Sequence, residues 1–209
     1  MDKKTGNLNT GRSLPVMEEF YSLQGEGFYT GSAAYFLRIG GCDVGCNFCD
    51  VKESWDAAIH PLVPVDEVVE RILEQKAPCV VVTGGEPCLY KLDYLCEQLR
   101  ENHISIHLET SGSEILSGNF HWICFSPKKG TSIQPEFYEK ANELKVIIEK
   151  KDDFAWAEEN ATKINKKAVL YLQPEWSQFD TITSVIVDYI LQNPKWKISL
   201  QSHKYMRIP

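Results

Sequence analysis

The 209-residue chain has no run of 18 apolar residues, so it offers no candidate membrane-spanning helix. It is also short of positive charge. Its 22 Lys and Arg stand against 29 Asp and Glu, a net charge of −7. That balance argues against a nucleic-acid-binding surface and makes a small ligand the more natural partner. The opening stretch MDKKTGNLNTGRSLP carries two lysines and no apolar segment behind them, so no signal peptide is expected. The expected setting is a reducing cytoplasm, where clustered cysteines suggest metal binding or catalysis rather than disulfides. Low-complexity tracts and Pro-, Gly- or Ser-rich linkers are missing too. With 43% apolar residues, one core domain over 1–209 is expected, residues 1–14 forming a loose polar arm.

Cysteine is plentiful by contrast. Of the seven, Cys79 and Cys124 lie in apolar strand-like runs and Cys96 on an apolar helix face, as buried small hydrophobes do. Cys88 follows a Gly-rich turn and receives no assignment. The other three, Cys42, Cys46 and Cys49, crowd into GGCDVGCNFCD with no fourth cysteine nearby. A structural zinc ion asks for four ligands, and the nearest histidine, His60, comes eleven residues after Cys49. An iron–sulfur cluster is held by cysteine thiolates and tolerates one iron without a protein ligand, which leaves that iron open to a chelating small molecule. A zinc-binding interaction module is the non-enzymatic alternative.

Short apolar runs alternate with amphipathic stretches along the rest of the chain. AAYFLRI (33–39), CVVVT (79–83), ISIHLE (104–109), WICFS (122–126), LKVII (144–148), AVLYLQ (168–173) and KISLQ (197–201) read as strands. Helical patterns fall at 64–76, 92–101, 135–142, 152–164 and 180–192. This alternation predicts parallel βαβ units, in an open doubly wound sheet or a full or partial βα barrel. Five of the strands run into polar or Gly-rich ends: TGGEP, ETSG, SPK, QPEW and QSHK. Both architectures gather function at the carboxyl ends of their strands, so these segments predict one site on one face.

The three-cysteine loop, with Phe48 before its last cysteine, resembles the signature of radical S-adenosylmethionine enzymes, and TGGEP resembles their Gly-Gly-Glu motif. SLQGEG (22–27), LRIGGC, the Cys-Asp pair, ETSG, SPK, ELKVI, YLQP and the terminal LQSHKYMRIP closely resemble the 7-carboxy-7-deazaguanine synthase family from Met17 to Pro209. The resemblance implies an α/β fold, a partial (reduced) βα barrel of the radical S-adenosylmethionine type, and homodimers. It implies conversion of 6-carboxy-5,6,7,8-tetrahydropterin to 7-carboxy-7-deazaguanine with loss of ammonia, in deazapurine and queuosine biosynthesis. A glycyl-radical activating enzyme is the enzymatic alternative, since it shares the cysteine loop.

Carried over by motif, Cys42, Cys46 and Cys49 hold a 4Fe-4S cluster. Phe48, Cys49, Asp50, Gly84, Gly85, Glu86, Ser126, Pro127, Lys128, Gln173, Pro174, Glu175 and Trp176 border S-adenosylmethionine. Leu23, Gln24, Gly25, Arg38, Thr83, His203 and Pro209 match positions that hold the pterin, Arg38 and Glu26 positioning it; Lys204 borders the same pocket. A guanidinium fork at Arg38 suits the substrate carboxylate. A reductant such as a flavodoxin or ferredoxin is implied, and so is Mg2+. Here the chain departs from the family pattern: Val51 has no oxygen where a Thr or Ser supplies one, which leaves Asp50 and Ser54 as nearby oxygens.

Overall fold

The computed structural model describes residues 10–209. The arm expected over 1–14 lies outside the described residues as far as residue 9. Its last two residues, Ser13 and Leu14, instead open a strand. Nine strands form one sheet: β1 (Ser13–Leu23), β2 (Ala33–Ile39), β3 (Leu62–Pro64), β4 (Cys79–Gly84), β5 (Ser105–Thr110), β6 (Trp122–Phe125), β7 (Glu143–Ile148), β8 (Val169–Pro174) and β9 (Trp196–Ile198). Their spatial order is β3-β1-β2-β4-β5-β6-β7-β8-β9. β1 pairs antiparallel with β2 and β3, and β2, β4, β5, β6, β7, β8 and β9 pair parallel in that order. The outer strands β3 and β9 do not pair with each other, so the barrel stays open.

The helices are α1 (Val65–Glu74), α2 (Asp93–Glu101), α3 (Glu136–Lys140), α4 (Asp153–Lys163), α5 (Phe179–Gln192) and α6 (Ser202–Met206). α1 shows why the periodic pattern makes a helix: Val65, Val68, Val69 and Ile72 fall on one face and are buried, with Asp66 and Glu67 in the first turn, where the helix dipole favours them. The main core joins these apolar faces to one side of the sheet. Leu37, Ile39, Val80, Val82, Leu108, Val146 and Leu172 meet Val68, Leu95, Leu99, Phe137, Phe154 and Ile186 there. A doubly wound sheet would bury both faces under helices. Here one cluster holds residues from α1 to α5, and the other face has only a small patch around Ala34, Phe36 and Val81. Successive strand residues point to opposite faces. Arg38, Thr83, Glu109, Lys145 and Gln173 therefore turn to the side away from the helices, which the partial barrel curls around.

Candidate active site

A cleft of about 250 Å3 opens at the carboxyl ends of the parallel strands. Cys42, Cys46 and Cys49 line it, from the loop after β2. That loop has no regular structure of its own and is held by its neighbours. Gly41 N–H donates to the Ser54 carbonyl (2.6 Å) and Cys42 N–H to that of Trp55 (3.2 Å). The Gly-Gly-Glu turn after β4 completes the support: Gly85 N–H donates to Ile39 O (2.9 Å) and Glu86 N–H to Gly41 O (2.8 Å). A Cβ on Gly85 would stand 2.1 Å from Gly41 O and 2.9 Å from the Cys42 Cβ, so only glycine lets the turn press against the cysteine loop.

The three thiols are electrostatic neighbours. Burial pushes the Cys46 thiol up, the Lys128 ammonium opposes this, and Cys42 and Cys49 raise it further. Thiolates around a cleft suit a soft, multi-iron group. A single tetrahedral zinc would draw its sulfurs to within about 4 Å of one another. Among the described residues, no group of three or more His, Cys, Asp or Glu is placed to hold one metal ion. Three cysteines from one loop at the cleft supply the thiolate donors that an iron–sulfur cluster uses. The scattered cysteines behave differently: Cys88, Cys96 and Cys124 are buried, and burial pushes Cys79 and Cys96 up to about 12.

Thr83, Gly84, Gly85, Ser126, Lys128, Gln173, Pro174, Glu175, Trp176, Phe48, Asp50 and Glu26 share the cleft lining with the cysteines. Lys128 folds back onto Ser126, its Nζ 2.7 Å from the carbonyl oxygen and 2.5 Å from Oγ, and burial lowers its pKa. Pro127 is buried between them. Glu175 accepts from Ser177 N–H (3.0 Å) and Gln178 N–H (3.1 Å), which holds the turn carrying Trp176.

Glu86 does not join them. Its carboxylate is 1% exposed and accepts from Cys88 N–H, Thr110 Oγ1, Ser111 N–H and Ser111 Oγ at 2.6–3.1 Å. It ties the Gly-Gly-Glu turn to the end of β5, beneath the cleft rather than in its lining. Arg38 stands in register with Thr83 on the same sheet face, but its Nε donates to Glu18 at 2.5 Å.

Leu23 ends β1, and Gln24 and Gly25 follow it. Gln24 Nε2 reaches Glu109 (3.4 Å), and Gly25 O accepts from the Ser202 N–H and hydroxyl, both at 2.9 Å. His203 lies against Gly25, where a Cβ would meet its Nδ1 at 2.2 Å. Pro209 O accepts from Ser22 Oγ (3.4 Å), bringing the chain end to the same rim. Leu23, Gln24, Gly25, His203 and Pro209 therefore cluster beside Glu26, next to the lining rather than within it.

The sequence reading missed the centre of the cleft floor. Lys145 of β7, 6% exposed at its side chain, places Nζ 2.6 Å from Glu26 Oε2 and 2.9 Å from Glu109 Oε2. Burial alone would raise the Glu26 pKa, but Lys145 and Gln201 hold it at about 2. Gln201 Nε2 bridges Glu26 Oε1 (3.0 Å) to Asp50 Oδ2 (2.9 Å). The available signal was a lysine inside a parallel strand, ELKVII, that is apolar apart from it and the opening Glu143.

Residues 37–169 match the family model of the Radical SAM superfamily. The chain is 54% identical over 202 residues to the 7-carboxy-7-deazaguanine synthase of Flavobacterium psychrophilum, covering 97% of this chain and 96% of that one. The chain belongs to the 7-carboxy-7-deazaguanine synthase family. The Synechocystis synthase is 46% identical, with 94% of each chain covered. A crystal structure of QueE from Escherichia coli superposes with a TM-score of 0.83 at 30% identity, over 97% of this chain and 100% of that one. As a member of this family the chain is a radical S-adenosylmethionine lyase, which excludes the zinc-binding module. The partial barrel is the fold the family shares.

Proposed function

We propose that the chain converts 6-carboxy-5,6,7,8-tetrahydropterin to 7-carboxy-7-deazaguanine with release of ammonia. What carries this reading is the convergence of the cysteine loop, the Gly-Gly-Glu turn and the ends of six parallel strands on one cleft, in a chain 54% identical over almost its whole length to a synthase. Cys42, Cys46 and Cys49 hold a 4Fe-4S cluster, and Phe48 to Asp50, Gly84, Gly85, Ser126, Lys128 and Gln173 to Trp176 wall the place for S-adenosylmethionine. Bound there, the cluster and S-adenosylmethionine would supply one-electron chemistry able to take a hydrogen atom from a substrate.

The chain's own residues position and shield. Glu26, kept ionised by Lys145, and Glu109 beside it present carboxylate acceptors to the N–H edge of a pterin. Gln24, Gly25, Thr83, His203 and Pro209 border the same space, and Arg38 has its terminal nitrogens to offer a carboxylate. Leu23 carries the turn. A preorganised set of acceptors holds the ring in one orientation, which supplies most of what a protein adds to cofactor-borne chemistry. Glu86 serves as the brace of the Gly-Gly-Glu turn.

A homodimer, a flavodoxin- or ferredoxin-type reductant and a cytoplasmic setting complete the proposal. Seven free cysteines support the last, and no helix among the described residues is long and apolar enough to cross a membrane. Anaerobic, cluster-reconstituted enzyme supplied with S-adenosylmethionine, a reductant and 6-carboxytetrahydropterin should release deazaguanine product and ammonia in equal amounts. Cofactor cleavage without a deazaguanine product would refute the substrate, and product formation without any protein partner rules out the activating-enzyme alternative.

A further inference from the structure

Magnesium binds through several oxygens in near-octahedral geometry. At the rim of this cleft those oxygens are wanting. Val51 has no side-chain oxygen, and the Ser54 hydroxyl, on a residue 1% exposed, donates to the Val51 carbonyl oxygen at 2.7 Å. The remaining side-chain oxygens there are the two of Asp50, and a cation already sits on one of them: Lys204 Nζ lies 2.6 Å from Asp50 Oδ2, beside Gln201 Nε2 on the same oxygen. The residues present do not fit a bound magnesium ion.

The ammonium is held in place from several sides. Its side chain is only 19% exposed, and Nζ stands 4.6 Å from the centre of the Trp176 ring, a cation–π contact. α6 is fastened to the turn after β1 through Ser202 and Gly25, and Tyr205 packs edge-on against Trp176 and Phe179. A divalent ion at Asp50 would face this ammonium at close range and be repelled by it. Glu26, His203 and Lys145 also lie within electrostatic reach of Asp50 and Lys204, and Glu109, Lys128, Glu175 and the three cysteines line the same cleft. Lys145 is spent on Glu26 and Glu109.

We propose that Lys204 is the built-in cation of the cleft mouth, standing where a divalent metal would meet a carboxylate-bearing substrate, and that turnover needs no Mg2+. This rests on the synthase reading above. Asp50 is 41% exposed at its side chain, so it can release the ammonium to an arriving carboxylate at little desolvation cost.

Holoenzyme should be assayed in metal-depleted buffer with and without millimolar Mg2+, alongside Lys204→Met and Lys204→Arg. Mn2+ should be titrated into the wild-type holoenzyme with S-adenosylmethionine, and the free ion followed by electron paramagnetic resonance. Wild-type kcat/KM should change by less than about twofold on metal removal, whereas loss of a metal that stabilises developing charge would cost about a hundredfold. Lys204→Met should fall by about tenfold or more with its iron content unchanged, Lys204→Arg should recover most of that loss, and no stoichiometric Mn2+ site should appear. A hundredfold dependence on Mg2+, a Lys204→Met enzyme as active as wild type, or one tightly bound Mn2+ per wild-type chain would each overturn the proposal. Absence of product at every Mg2+ level would instead refute the synthase reading, and the Mn2+ titration, which needs no turnover, would still decide the cation.

Discussion

Replacing Lys145 by methionine would remove one ammonium and keep most of the side chain's volume. In the native cleft that ammonium faces Glu26 at 2.6 Å and Glu109 at 2.9 Å, with side-chain exposures of 18% and 22%. The Glu26 pKa falls from 4.5 to about 2, worth about 3 kcal/mol at neutral pH. Removing one partner of a buried pair costs about 3–5 kcal/mol by independent reckoning, because the remaining charge is left without compensation. The two agree, and for a chain of this size they correspond to a melting temperature lower by about 10 °C. The loss also has a pH signature. Glu26 is depressed in the native protein, so its stabilisation is complete above about pH 4.5 and disappears as pH falls towards 2. In Lys145→Met burial acts on Glu26 with only the weaker Gln201 hydrogen bond and His203 to oppose it, so its carboxylate destabilises most at neutral pH and is relieved by protonation below it. The gap between wild type and variant should therefore narrow from pH 7 to pH 5. Adding Glu26→Gln to Lys145→Met should recover at least half the loss. Thermal denaturation of matched, reconstituted preparations measures all three. A loss under about 1 kcal/mol, or one that stays constant with pH and is untouched by the second substitution, would refute the reasoning.

Gly85→Ala should lower the iron content of the reconstituted enzyme, because its Cβ would displace Gly41 and Cys42; unchanged iron per chain would show that the two loops do not brace each other. Glu86→Gln should cost about 2–3 kcal/mol in thermal denaturation, since an amide cannot serve all the donors that the buried carboxylate accepts. Its folded fraction should bind S-adenosylmethionine as wild type does, and a selective loss of that affinity would return Glu86 to the cofactor's wall. Gly25→Ala should raise KM for the pterin with little change in kcat, because the new methyl would strike His203; an unchanged KM would detach that turn from the substrate.

Much of the sheet was legible because parallel strands buried on one face and packed by helices read as apolar runs at regular spacing. β1 was not, since Pro15 and the pair Glu18–Glu19 interrupt its apolar character and it earns its place by antiparallel pairing with β2 and β3. β3, three residues long, and α6, five residues long, are too short for any periodicity to register. The cysteine triad and the Gly-Gly-Glu turn were visible because their chemistry is encoded in local spacing. Glu109 and Lys145 were not, because their meeting with Glu26 is made across the curl of the sheet, Lys145 and Glu26 standing 119 residues apart. Each nonetheless carries a mark that could be read. Parallel strands tolerate charge poorly, so Lys145 amid ELKVII and Glu109 in SIHLET signal strand positions that face a cavity rather than a core.

The same contrast explains how a loop without regular structure can hold three ligands in place. Cys42 to Asp50 contribute one internal backbone hydrogen bond, Cys49 N–H to Cys46 O at 3.1 Å. Nearly all other restraint on the loop is borrowed: Ser54 and Trp55 from one side, the Gly-Gly-Glu turn from beneath, and Lys204 and Gln201 on Asp50 from the chain's far end. Gln201 also donates to Glu26, and Lys145 donates to both Glu26 and Glu109. One hydrogen-bonded path thus links the residue after the last cysteine to the floor where the substrate is proposed to lie. Because every member is a side chain on a different segment, the path exists only when the partial barrel has formed around it. Ligand residues can therefore be recognised from eight consecutive positions, while their geometry is a property of the whole fold.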